Sequence, residues 1–128
     1  MKTKAQSGME FMIISATVLL FFTLIFLSIQ RNVSEKQKEQ EIIVVENLAL
    51  SVQEEISIAL SASEGYSREF IVPEKIFGKD YEIQIVDNST IYVKSPISAI
   101  ALSTGKINGD ILKGINIIKK ENGKVYLN

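Results

Sequence analysis

Phe11-Met12-Ile13-Ile14-Ser15-Ala16-Thr17-Val18-Leu19-Leu20-Phe21-Phe22-Thr23-Leu24-Ile25-Phe26-Leu27-Ser28-Ile29 runs for nineteen residues without a charge, and Gln30 extends the uncharged stretch to Arg31. Thirteen of the nineteen are Phe, Ile, Leu or Val. At up to roughly −0.4 kcal/mol each, they favour insertion into a bilayer by about −5 kcal/mol. As a helix the run rises about 28 Å, close to the hydrocarbon thickness of a membrane. Ser15, Thr17, Thr23 and Ser28 interrupt it harmlessly, because a helical hydroxyl bonds a carbonyl one turn back. The apolar core of a cleaved secretory signal is shorter, about 7–15 residues, and ends in a small-x-small site. Here the run closes on Phe26-Leu27-Ser28-Ile29-Gln30-Arg31, which offers none. A buried helix of a soluble protein would need a surrounding core that the remaining chain hardly supplies. The stretch predicts a membrane-spanning helix.

Outward from that run the chain is small. It has 128 residues and 14.3 kDa, room for about one domain. Fourteen Lys and Arg against fifteen Asp and Glu leave a net charge of −1, with no basic block. No nucleic-acid partner is expected, since such binding draws its salt-sensitive affinity from concentrated positive charge. There is no His, Cys or Trp. That composition excludes Cys/His zinc sites, thiol chemistry, disulfides and imidazole acid–base mechanisms. An enzyme built from what remains would rely on carboxylates, Ser, Thr, Tyr and Lys.

Charge alone does not orient the helix. Lys2 and Lys4 precede it and Arg31, Lys36 and Lys38 come after it, so the positive-inside count is nearly balanced. The stretch just before the apolar run is more informative. Lys2-Thr3-Lys4-Ala5 is a short basic leader, and Gln6-Ser7-Gly8-Met9-Glu10-Phe11 leads directly into the helix. This resembles the class III signal peptide of archaeal type IV pilin-like proteins, whose motif has the form Q-x-S-x-E-x-x-x-L. Gln6 and Glu10 match it; Gly8 stands where Ser is usual and Ile14 where Leu is usual. The resemblance covers about the first thirty residues. It implies cleavage by a membrane-embedded prepilin peptidase between Ala5 and Gln6, on the cytoplasmic side. The apolar helix would stay attached to the mature chain. It further implies a cytoplasmic N-terminus, an extracellular region from residue 31 onward, and packing of apolar helices into a filament core.

Glu10 carries two readings. A carboxylate at the edge of so apolar a run is costly to bury without a partner. The resemblance supplies one, the mature α-amine at Gln6 of a neighbouring subunit, and such a pair sets the register between two helices. The plainer reading is an interfacial Glu in the first helical turn, favoured by the positive end of the macrodipole. Both hold if a precursor waits in the bilayer before assembly.

Beyond the run, Asn32–Glu41 is polar apart from Val33 and free of Gly and Pro, as in a solvated helical face. Val45, Leu48, Val52, Ile56 and Ala59 then recur at helical spacing, and Ser63 and Gly65 mark the stop. An unbroken helix from about Ser7 to Ala62 would be roughly 80 Å long. From Tyr66 the period changes to two. Glu69–Val72, Tyr81–Val86, Thr90–Lys94, Ile97–Ser103, Ile115–Lys119 and Lys124–Leu127 read as strands. Asp87-Asn88-Ser89 and Asn122-Gly123 read as hairpin turns, with further turns at Gly105 and Asn108-Gly109. The expected fold is α+β: a long N-terminal helix, membrane-spanning in its first half, packed by its second half on a small antiparallel β-sheet head of about five or six strands. The segments are then residues 1–5, the leader; 6–30, the transmembrane and assembly helix; 31–65, its soluble extension; and 66–128, the extracellular head. The last strand is expected at a free sheet edge, open to strand addition.

Chemistry in the head is sparse. Asp80, Glu82 and Asp87 cluster in sequence without the ligand density of a calcium loop, and no nucleophile elbow or phosphate-binding glycine loop occurs. No cofactor or metal is expected. Asn32-Val33-Ser34 and Asn88-Ser89-Thr90 are N-glycosylation sequons, with Asn88 at an expected hairpin turn and Asn32 just past the apolar run. The reading is a non-enzymatic, pilin-like subunit whose partners are the membrane, a prepilin peptidase and other pilin-like subunits. It would sit in the cell membrane, then in a cell-surface filament or pseudopilus. A permanently anchored extracellular binding domain that never polymerises is the alternative; for it, Gln6 and Glu10 are dispensable.

Overall fold

A computed structural model describes residues 2–128, with side chains described from Gln6 onward. A single helix, α1 (Lys2–Ser61), carries the apolar run, the polar segment after it and the second stripe. Contacts divide the chain into two units, residues up to Gln37 and residues 38–128. In the first unit the helix is the whole structure. Thr17 Oγ1 donates to the Ile13 carbonyl and Thr23 Oγ1 to that of Leu19, both at 2.8 Å, so these hydroxyls make no outside demand. The Phe, Ile, Leu and Val side chains between Phe11 and Ile29 stand 47–70% exposed.

The second unit is built on the other part of α1. Val45, Ala49, Val52, Ile56 and Ala59 are buried along one face, with Leu48 half-buried beside them. Glu41 belongs to the same face and is 4% exposed, so the polar segment is not solvated throughout. Its position one turn before Val45 puts it on the stripe. Its Oε2 accepts a bond from Lys79 Nζ at 2.7 Å, while Oε1 has no protein partner.

Seven strands come after the helix: β1 (Ser67–Val72), β2 (Glu82–Val86), β3 (Thr90–Lys94), β4 (Ala99–Ser103), β5 (Ile107–Gly109), β6 (Gly114–Glu121) and β7 (Lys124–Leu127). They form two sheets where one was expected, in orders β1-β6-β7-β5 and β2-β3-β4. Each sheet grows around a local hairpin. Val86 pairs with Thr90 across Asp87-Asn88-Ser89, where Asp87 and Asn88 adopt φ of 51° and 55°. Glu121 pairs with Lys124 across Asn122-Gly123, where φ is positive at both residues, as a two-residue hairpin loop requires.

Two expectations are corrected by the sheet topology. Asn108-Gly109, which reads as a turn, lies in β5, which pairs parallel with β7. Three residues are too short to show alternation. Gly109 is required because a Cβ there would run into the Leu127 carbonyl oxygen, and its φ is +106°. The final strand is also not an edge. β7 lies between β6 and β5, so both its sides are paired, and the edges of that sheet are β1 and β5.

Val72, Ile91, Val93, Ile107, Ile118, Val125 and Leu127 join the α1 stripe in one core. Asn116 is fully buried among them and fully bonded: Nδ2 donates to the Leu112 and Gly114 carbonyls, and Oδ1 accepts from the Leu112 amide and Asn128 Nδ2. The end of α1 is held by the β6–β7 hairpin. The helix has no basic residue in its own last turn. Lys120 of β6 supplies the charge, donating from Nζ to the carbonyls of Leu60 at 2.7 Å and Ala62 at 2.8 Å. Glu64 completes the clamp, its Oε1 accepting the Gly123 amide at 2.6 Å. Lys120→Met keeps the apolar stem but withdraws the cation. We expect a loss of about 1–3 kcal/mol, read as a lower urea midpoint with unchanged slope.

Candidate functional site

The residues expected to govern processing and assembly lie on the first unit. Gln6 and Glu10 are one helical turn apart and share a face; Gln6 Nε2 donates to Glu10 Oε1 at 3.4 Å, and both side chains are exposed. Ala5, the other half of the expected cleavage site, lies outside the residues whose side chains are described. Gly8 has open space where a Cβ would stand, so packing within the chain does not demand glycine there.

Beyond Glu10, α1 is long and apolar enough to cross a membrane, and none of its apolar window is buried within the chain. Burying one such side chain is worth about 1.5–3 kcal/mol. Leaving the whole run in water would forgo more than the full stability of an average domain, about 5–15 kcal/mol. Lipid or other apolar chains around the run would supply the missing cover. Glu10 stands at the boundary of the run, bonded only by a neutral amide on its own helix.

The remaining candidate residues are dispersed. Asn88 sits at the β2–β3 turn with its side chain exposed, while its carbonyl accepts the Ile107 amide at 2.8 Å. Beside it is an open polar cavity of about 590 Å³, lined in part by Lys106, Asn108 and Lys124. Asn32 is exposed too, but it lies within α1, where the backbone is committed to helical bonding. Among the expected carboxylates, Asp80 is 83% exposed and lies 3.8 Å from Lys113, Glu82 is exposed on β2, and Asp87 is in the turn. Among the described residues no group of three or more metal-capable side chains converges. Lys113 lies over the Tyr81 ring at 4.7 Å, and burial raises the Tyr81 phenol above its ordinary pKa. The Tyr81 hydroxyl donates to the Pro73 carbonyl, tying the β1–β2 connection to the core.

Two features carry no signal at the level of sequence. One is the ion pair of Glu41 and Lys79, separated by 38 positions. The other is Phe77, at the tip of the turn that carries Lys79, with φ of +49° and its ring 60% exposed. In comparisons with protein-family models, curated proteins and solved structures, nothing matches this chain.

Proposed function

We propose that the chain is a pilin-like structural subunit. A prepilin peptidase cuts it between Ala5 and Gln6, and it assembles through its apolar N-terminal helix into a surface filament or pseudopilus. The observation that carries this reading is the placement of Gln6 and Glu10 on one face at the mouth of a wholly uncovered apolar helix. The same helix continues into the α1 stripe that forms the core of the head. In the precursor, lipid covers the run and Glu10 lies at the membrane interface. In the assembly, neighbouring helices replace the lipid, and the α-amine exposed at Gln6 of one subunit replaces the Gln6 amide as partner of Glu10 on another. Removing one partner of a buried ion pair is strongly destabilising, of order 3–5 kcal/mol. On this reading the N-terminus is cytoplasmic and the head extracellular.

Glu10→Ala is expected to leave the head folded and the protein in the membrane while high-molecular-weight assemblies disappear from size separations of native extracts. Assemblies of wild-type size in the variant would overturn the register role of Glu10, and a lack of such assemblies in the wild-type protein itself would favour the anchored, non-polymerising domain. For the sequons, Asn88→Gln is expected to lower the intact mass of native protein by the mass of a glycan and Asn32→Gln to change it only by the substitution. An Asn88 that carries no added mass in native protein would remove that modification.

A further inference from the structure

Phe77 occupies a backbone position where a bulky L-residue is strained. Ile76 and Lys79 exchange both backbone bonds, at 3.1 and 2.9 Å, around a two-residue loop with φ of 49° at Phe77 and 72° at Gly78. Left-handed geometry at both central positions favours Asn followed by Gly, and Phe there is an outlier. Its ring is 60% exposed, so contacts within the chain do little to offset the strain. The turn is nonetheless held on both sides, since Ile76 is buried and Lys79 Nζ is bonded to the buried Glu41. The result is an aromatic knob projected from a fixed base. Retained strain at an exposed, well-anchored residue points to a function outside the chain, and buried aromatics dominate interface energetics.

The same unit carries a shallow, largely apolar depression. About 25 Å further along α1 from Glu41, an open dent of about 410 Å³ is lined by Glu54, Ser57, Ile58, Ser61 and Ala62. Ser57 Oγ donates to the Gln53 carbonyl at 2.8 Å and Ser61 Oγ to the Ser57 carbonyl at 2.9 Å. With both hydroxyls satisfied by their own helix, the lining apart from Glu54 is apolar toward a visitor, and Ile58 within it is 38% exposed. Charge agrees with shape. Lys75 is exposed two residues before Phe77, Glu54 is exposed at the rim of the dent, and neither has an ion-pair partner among the described residues.

We propose that heads of successive copies of this chain meet through this pair, Phe77 of one copy seated on Ile58 of the next, with Lys75 against Glu54. The proposal rests on the assembly reading above and names its contact in the head. Because knob and dent are different surfaces at different levels of α1, the contact is heterologous. It therefore propagates instead of closing as a two-fold pair would.

The absence of native cysteine makes the test clean. The full chain carrying both Glu74→Cys and Ser61→Cys, exposed positions that flank the contact and leave Phe77 and Ile58 in place, is oxidised in its native membrane and is expected to give a ladder of dimers, trimers and higher adducts. Each single variant alone gives none. Glu54→Lys in the double-cysteine chain weakens the ladder, and Lys75→Glu added to it restores the ladder. Phe77→Asn relieves the turn, so its Tm is expected to equal or exceed that of the parent while its assemblies shrink. Ile14→Cys, in the apolar helix, reports assembly independently of the head. Helix cross-links without a head ladder overturn the contact and leave assembly standing. Absence of both overturns the two together. Adducts that stop at the dimer, or that form from a single variant, overturn the head-to-tail geometry.

Discussion

An apolar helical surface with no cover of its own is the constraint on which the rest of this molecule depends. The apolar side chains from Phe11 to Ile29 are exposed as one continuous run, and none of that window is buried by the described chain. Backbone bonding does not add to the problem, since a helix satisfies itself and the threonines bond back into it. The unmet requirement is therefore purely apolar and non-directional. A bilayer meets it, and so does a bundle of like helices. On the proposed assembly reading, what lends direction is Glu10, one carboxylate at the rim of the run, for which a charged partner is worth most where water is excluded.

The head solves a different problem, that of a small sheet domain with too little core to stand alone. It borrows the second part of α1 as one wall. Val45, Val52, Ile56 and Ala59 cover the sheets, and the helix is secured at two levels. Near the start of this stretch, Glu41 takes the ammonium of Lys79. At its end, Lys120 closes the open carbonyls while Glu64 holds the Gly123 amide. Breaking the Glu41 pair from the lysine side would strand a buried carboxylate, which explains how a turn as strained as that of Phe77 is kept in place. On the proposed head contact, rigidity at that turn is what lets a single exposed ring serve as the knob.

Much of this is legible in the residues, and the reasons differ by element. The stripe from Val45 to Ala59 declares itself by its period, because burial on one face of a helix leaves a 3.6-residue trace, and the run from Phe11 to Ile29 by its uncharged length. The hairpins at Asp87–Ser89 and Asn122-Gly123 declare themselves because positive φ selects a few residue types. β5 is not legible: three residues ending in Asn-Gly look like a turn, and only the approach of the Leu127 carbonyl makes Gly109 part of a sheet. The interior position of β7 depends on that parallel pairing, which local pattern does not encode. Local pattern makes Glu41 solvent-facing because its partner lies 38 positions away. Asn116 passes as an ordinary strand residue for a similar reason, since its partners include the backbone of Leu112 and the side chain of Asn128. Of the candidate site, Gln6 and Glu10 stand out through the resemblance of their motif, whereas Phe77 does not, because its strain lies in the backbone.

The central claim is that this helix is uncovered in order to be transferred from lipid to other helices, after a cut that frees the α-amine at Gln6. N-terminal sequencing together with intact mass of the protein from its native membrane tests it most directly. The account predicts a chain that begins at Gln6. A chain that begins at Met1, or that lacks only the initiator Met, would contradict it and leave a simple membrane anchor.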